Sequence, residues 1–293
     1  MKYIYTIVFL SLGIIWGSNF IYMKMASAHI DSMQVVFYRV LFGFIPVFIY
    51  AFYLKALKFE HLKYSFHFFV MSLFAATVYY YGFVVGSSLL LSGIAGALSG
   101  LVPLFSFLVG MLFLKEEKIT KEATFGVIIA FFGIILISGI LSEDLSSINY
   151  EGMIAIILGS LSVGASFIYA KKFVTPLKIR AAALTTYQLG FALLTLFLIT
   201  DFEGINNIWS DTHSAIGMVI GLGLLGTGIA FIGYYFIIEK LGALKASSIT
   251  YIPPVVALFI GFFIVGEDIK LLDFIATFLI FFGVFLINKR VKK

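Results

Sequence analysis

One arginine, Arg39, stands inside an otherwise apolar run of the chain. If that run crosses a bilayer as a helix from about residue 32, Arg39 lies roughly 10 Å below the surface at 1.5 Å per residue. A charge held centrally in hydrocarbon costs ~2.5 kcal/mol or more, so such a side chain turns to a cavity or a partner. Arg39 is then an anchor for a ligand carboxylate or a gate, or else an arginine snorkelling to headgroups or clamping helix-end carbonyls. Trp16 and Asn19 sit one turn apart and share a helix face. An amide with two donors and an acceptor beside an apolar plate suits an amphipathic ligand; packing and an interhelical hydrogen bond are the plainer use. Tyr79, Tyr80 and Tyr81 in one segment and Tyr234 and Tyr235 in another offer gates around a central site, and tyrosine also populates interface belts without any ligand. Pro103 and the pair Pro253 and Pro254 each remove a backbone donor within an apolar segment, which makes a hinge, a binding break or a packing kink. These residues give the candidate set: Trp16, Asn19, Arg39, Tyr80, Gln188 and Tyr234 at the solute, with Pro103, Pro253, Pro254 and Tyr79 as hinge or gate.

The elements that must position them are membrane helices. Of 293 residues 61% are hydrophobic and 12% charged, half the charge of a soluble domain, and no single core could bury that much apolar surface. About 20 apolar residues span a bilayer. Ten such segments are predicted, near 3–23, 32–54, 64–85, 91–114, 121–141, 151–170, 181–200, 213–238, 246–266 and 271–288. Gly86, Ser87 and Ser88 mark the tight turn after the third. The first is read as a mature helix, being long for a signal core and without a convincing cleavage site. With the N-terminus placed in the cytoplasm, all of the 20 Lys and Arg except Lys24, Arg39 and Lys270 fall on the cytoplasmic side. One missed helix would scramble that alternation, so ten helices with both termini inside is the expected topology. Lys24 is read as an interfacial anchor.

The chain also repeats itself. Gly17, Phe20, Ile21, Tyr22 and Lys24 match Gly164, Phe167, Ile168, Tyr169 and Lys171 at constant offset, and Pro103, Gly110 and Glu116 match Pro254, Gly261 and Glu267. The same repeat sets Gln188 opposite Arg39. Two repeats, 1–143 and 150–290, therefore hold five helices each, and an odd number turns the second upside down relative to the first. Inverted repeats suit secondary transporters, because like halves can exchange inward-open and outward-open shapes.

Trp16-Gly17-Ser18-Asn19-Phe20, Tyr38-Arg39, and the prolines followed by Lys115-Glu116 and Gly266-Glu267 resemble the drug/metabolite transporter superfamily, specifically its EamA-type members. The resemblance covers essentially the whole chain and departs from the pattern at Lys115, where glycine is common. It implies an all-α membrane protein of ten helices that carries amino acids, drugs or other metabolites, without naming which.

Chemistry of other kinds has little to stand on. There is no cysteine, and the four histidines (His29, His61, His67, His213) lack metal-site spacing. No phosphate-binding Gly-x-x-x-x-Gly-Lys run is present, and no carboxylate falls convincingly at mid-membrane. The expectation is a secondary transporter or exporter, not an enzyme, of small polar or amphipathic metabolites, amino acids first. It works by alternating access around a cavity lined by helices 1, 3, 4, 6, 8 and 9, with Arg39 and Gln188 nearby. A lipid-modifying membrane enzyme and a channel are the rivals. The partners are a small solute and the bilayer, with a homodimer compatible, and no nucleic acid, cofactor or metal. The Phe, Ile and Lys bias fits a prokaryotic cell membrane.

Overall fold

The computed structural model describes residues 2–113, 121–137, 149–241 and 248–288. Among them every regular element is helical. We number ten helices: α1 Lys2–Ser27, α2 Ser32–Tyr53, α3 Phe59–Leu89, α4 Ser92–Phe113, α5 Lys121–Ile137, α6 Tyr150–Leu177, α7 Ala181–Ile199, α8 Thr212–Ile238, α9 Ile249–Val265 and α10 Leu271–Asn288. Seven are long and apolar enough to cross a membrane over their described length; α5, α9 and α10 are shorter apolar helices. The predicted segments match these ten within a few residues where their ends are described, but α3 is longer than predicted at both ends and α6 at its C-terminal end; the predicted ends at 114, 141 and 246 lie outside the described residues. The helix α3 runs on to Leu89, so Gly86, Ser87 and Ser88 are helical and the turn falls at Leu90 and Leu91, both extended. Gly86 is needed inside the helix because α3 lies against Gly152 and Ile156 of α6 there. The helix α6 continues past 170 through a π turn and a 3-10 turn to Leu177.

Side chains that would be a liability in water cover the outside. Phe52, Phe66, Leu198, Phe263 and Ile264 are all more than half exposed, a surface that calls for lipid. Helix starts are capped by short polar residues. Asp31 accepts from Met33 N at 2.7 Å while Gln34 returns a bond to Asp31 N, and Asn149 and Asp211 cap α6 and α8. Gln34 also donates to the Asp201 and Glu203 carbonyls, which ties the loop after α7 to the start of α2.

The helices pack by a rule that survives exchange of the two halves. As α1 lies on α8 and α9, α6 lies on α3 and α4; as α2 lies on α8, α7 lies on α3; α2 meets α7 and α5 meets α10. Small residues allow the close approaches: Gly43 faces Thr227 and the Gly223 carbonyl, and Gly82 faces the Ala155 carbonyl and Gly159. In both halves the third helix contains π-helical turns, Leu73–Thr77 in α3 and Gly217–Ile229 in α8. In both, the fourth helix is interrupted just before its proline. The α-helical ladder of α4 pauses at Gly100 and Leu101 and resumes at Val102, and α9 passes from a 3-10 turn into α-helix at Ile252, with prolines in its first turn. A proline lacks the N–H that an interior position must donate, but a first-turn position has no such bond to make. Pro103, Pro253 and Pro254 therefore start helical halves instead of kinking continuous ones.

Candidate functional site

Where the broken helices meet the first and third helices of each half, the structure leaves a small, largely buried cavity. Its wall comes from α1 (Trp16, Asn19, Phe20, Met23), α2 (Arg39), α3 (Tyr79, Tyr80, Phe83), α4 (Ser99, Val102), α6 (Val163, Phe167), α8 (Phe231, Tyr234) and α9 (Thr250, Pro253). Much of the wall is paired by the repeat. Phe20 stands opposite Phe167, Trp16 opposite Val163, Ser99 opposite Thr250 and Val102 opposite Pro253. A cavity built from equivalent positions of two halves lies on the axis that relates them.

The pairing fails at the charged group. Arg39 is 1% exposed. Its Nε donates to Thr227 Oγ1 at 3.0 Å and its Nη2 to the Gly226 carbonyl at 3.4 Å, while Nη1 approaches Met23 Sδ at 3.4 Å. The guanidinium carbon lies 3.7 Å from the centroid of the Tyr80 ring. With its amide in the orientation that satisfies both ends, Asn19 accepts from Arg39 Nη2 at 2.9 Å and donates to the Ile15 carbonyl at 3.0 Å. The π-helical stretch makes this possible. Its wider turn sends Thr227 Oγ1 back to the Leu222 carbonyl, five residues earlier, and offers the Gly226 carbonyl sideways to both Arg39 and Trp16 Nε1 (3.2 Å). Every partner of Arg39 is neutral: among the described residues no carboxylate pairs with it. Arg39 thus neither snorkels nor clamps a helix end. It is packed against the cavity.

Trp16, Asn19, Arg39, Tyr79, Tyr80, Tyr234 and Pro253 are brought to one wall; Gln188, Pro103 and Pro254 are not. Gln188 is fully buried on α7, where its Oε1 accepts a short hydrogen bond from Tyr235 OH. Tyr81, 43% exposed, faces outward. The buried hydroxyls of Tyr80 and Tyr234 have no hydrogen-bond partner within ordinary geometry. Sequence reasoning missed Thr227 and Gly226, since nothing in a glycine-rich run announces a π-helix. It also missed Ser99 and Thr250, which the offset between the two prolines would have delivered as a pair.

A second polar cluster joins the end of α9 to the start of α4 and to α1. Lys24 Nζ lies 2.9 Å from Glu267 Oε1, so Lys24 is an ion-pair partner as well as a helix-end residue. Gly266 takes φ +73°, a left-handed turn that ends α9 and folds Glu267 back over the start of α4. There the carboxylate accepts from Ser92 N and Oγ (both 2.9 Å) and from Gly93 N (3.1 Å). Burial opposes the charge on Glu267, but Lys24 and the two backbone N–H groups outweigh it and hold the carboxyl below its usual range. The matching Glu116 of the first repeat lies outside the described residues.

Comparison with known proteins agrees with this architecture. The model of the EamA-like transporter family matches twice, over residues 4–139 and 150–289. The uncharacterized transporter YoaV of Bacillus subtilis is 26% identical over 281 residues, 94% of each chain. An uncharacterized transporter of Archaeoglobus fulgidus is 25% identical over 76% of this chain and 77% of its own. The uncharacterized inner membrane transporter YedA of Escherichia coli K12 is 30% identical over 67% of this chain and 62% of its own. A solved crystal structure shares the fold at a TM-score of 0.63 with 16% identity, covering 96% of this chain and 95% of that one, a likeness of fold alone. Ten apolar helices in two five-helix repeats, matched twice by one family model, make this chain a multi-pass membrane protein of the EamA-like transporter family.

Proposed function

We propose that the protein is a secondary transporter, not an enzyme, which carries small polar or amphipathic metabolites, amino acids first among them, by alternating access around the central cavity. The halves 1–143 and 150–290 exchange roles as the cavity opens to one face and then the other. Both termini lie in the cytoplasm of a prokaryotic cell, an orientation supported by the excess of lysine and arginine in alternate loops. The observation that carries the reading is a largely buried cavity walled in good part by equivalent residues of two inverted halves, with a buried arginine facing it. Trp16, Asn19, Arg39, Tyr80 and Tyr234 contact the solute. Pro253 and Tyr79 move with the gates, and Pro103 and Pro254 mark the breaks about which the fourth and ninth helices bend. Gln188 supports the site through Tyr235. The Lys24–Glu267 cluster is the closed gate on the extracellular face.

Counterflow in proteoliposomes with pooled labelled amino acids and nucleosides tests this. Transient accumulation of at least one member supports the reading. Folded protein that moves neither a member of this panel nor a small organic anion sinks it.

A further inference from the structure

We infer that the cavity takes a solute bearing one net negative charge, and that the protein exchanges such solutes across the membrane much faster than it moves them in net flux. The inference rests on the transporter reading above. It narrows that reading from amino acids at large, most of which are net neutral, to monoanions.

Among the described residues Arg39 is the one ionised side chain in the cavity wall, with no Asp, Glu, Lys or His beside it there. Its partners supply dipoles and a ring face: Thr227 Oγ1, the Gly226 carbonyl, Asn19 and Tyr80. Dipoles lower the cost of a buried cation without cancelling its charge. Two further donors stand at the wall. The buried hydroxyls of Tyr80, beside Thr227 and Arg39, and of Tyr234, beside Ser166, make no hydrogen bond of full geometry, and anionic oxygens would accept from either. The rest of the wall, including Trp16, Phe20, Phe83 and Phe167, is apolar and aromatic and fits a hydrocarbon body. A monoanion makes the loaded site neutral. A zwitterion leaves one positive charge, and a cation makes two.

Kinetics follow from the same count. Alternating access takes the carrier through the closed form in both directions, and in the closed form Arg39 is 1% exposed. The loaded carrier makes that passage with no net charge in the cavity. The empty carrier must bury an uncompensated cation, at a cost that slows its return by on the order of tenfold or more. Exchange avoids the empty return. Net flux cannot.

The test uses three permanently charged or zwitterionic solutes on one carbon skeleton, so that none leaks through lipid in a neutral form: isoamylsulfonate, leucine and trimethyl(isoamyl)ammonium. Purified protein in liposomes should take up labelled isoamylsulfonate best. Preloading with the unlabelled sulfonate should speed that uptake by on the order of tenfold or more. A potassium diffusion potential set with valinomycin should alter net uptake and leave exchange unaffected. Arg39→Gln should bring the ratio of exchange to net flux close to one, and Arg39→Lys, which keeps the charge, should preserve it. Leucine or the ammonium carried better than the sulfonate overturns the charge assignment. Equal net and exchange rates in the wild type, or exchange as sensitive to potential as net flux, overturns the coupling; neither measurement depends on a variant folding. If none of the three solutes moves while members of the amino acid and nucleoside panel do, the charge inference falls and the transporter reading stands. If nothing moves, both fall.

Discussion

Arg39 and Gln188 occupy equivalent places on the second helix of each repeat, and the structure uses them differently. Arg39 lies over the ring of Tyr80 and reaches across to α8, facing the cavity with no counter-charge. Gln188 accepts from the hydroxyl of Tyr235, and its side chain stays out of the wall. Both positions pair a polar side chain with a tyrosine of a third helix, so the scaffold is shared. The chemistry has been concentrated on one side of it. Of two like halves, only the first carries a buried charge at this position.

The largest effect should come from removing that charge. Arg39→Ala deletes charge-assisted hydrogen bonds of ~1.5–3 kcal/mol and should weaken solute affinity by roughly tenfold to a hundredfold, measured as the concentration for half-maximal counterflow. Gln188→Ala should cost far less. Equal losses in the two variants would break the comparison.

Gln188→Arg asks whether the second position tolerates charge. It sets a second cation beside Tyr235 in a fully buried place with no carboxylate near, among the described residues. The expected penalty is ~2.5–3.5 kcal/mol, read as a lowered unfolding temperature in detergent. An undiminished unfolding temperature would mean that the second site is as ready for charge as the first.

Thr227→Val tests the support of Arg39 without touching its charge. Losing one hydrogen bond to a buried charged group should reduce affinity by about tenfold. No change would show that the π-helical carbonyl and Asn19 suffice.

The smallest effect concerns the face bearing Lys24. The chain has no cysteine, so Ser99→Cys gives a single label site in the cavity wall. Adding Glu267→Gln should raise its labelling from that face by several-fold, since an ion pair and charge-assisted bonds to Ser92 and Gly93 are lost. Acid should do the same. A carboxyl held below its usual range stabilises the closed face above its ordinary titration range, and loses that contribution as pH falls through the lowered value. Labelling relative to that of a freely exposed thiol at the same pH should therefore stay flat from neutral pH down to about pH 5 and rise only at stronger acidity. A rise near pH 6 would point to another group.

Much of the scaffold was legible in the residues because membrane physics writes it there. Helix length, loop charge and the odd number of helices per repeat are local or additive signals, and they set ten spans and two halves. The site was legible in part. Trp16, Asn19, Arg39, Tyr80 and Tyr234 were visible as polar or aromatic groups in apolar runs. Thr227 and Gly226 were hidden in a glycine-rich stretch whose π-helical turns depend on packing against α2 and α1. The role of Glu267 was hidden as well. A carboxylate at a helix end looks solvated until the left-handed turn at Gly266 brings it to Lys24 and the start of α4, nearly 180 residues back.

The sequence by itself determined that the chain lives in a membrane, crosses it ten times and is built twice over. Those outcomes follow from how many apolar residues stand in a row and where lysine and arginine fall between them. Only the tertiary structure decided that Arg39 faces a largely buried cavity with no carboxylate beside it while Gln188 turns to Tyr235. Which side chains meet across seven helices depends on rotation, register and the local width of each turn, and none of these is carried by a single segment alone.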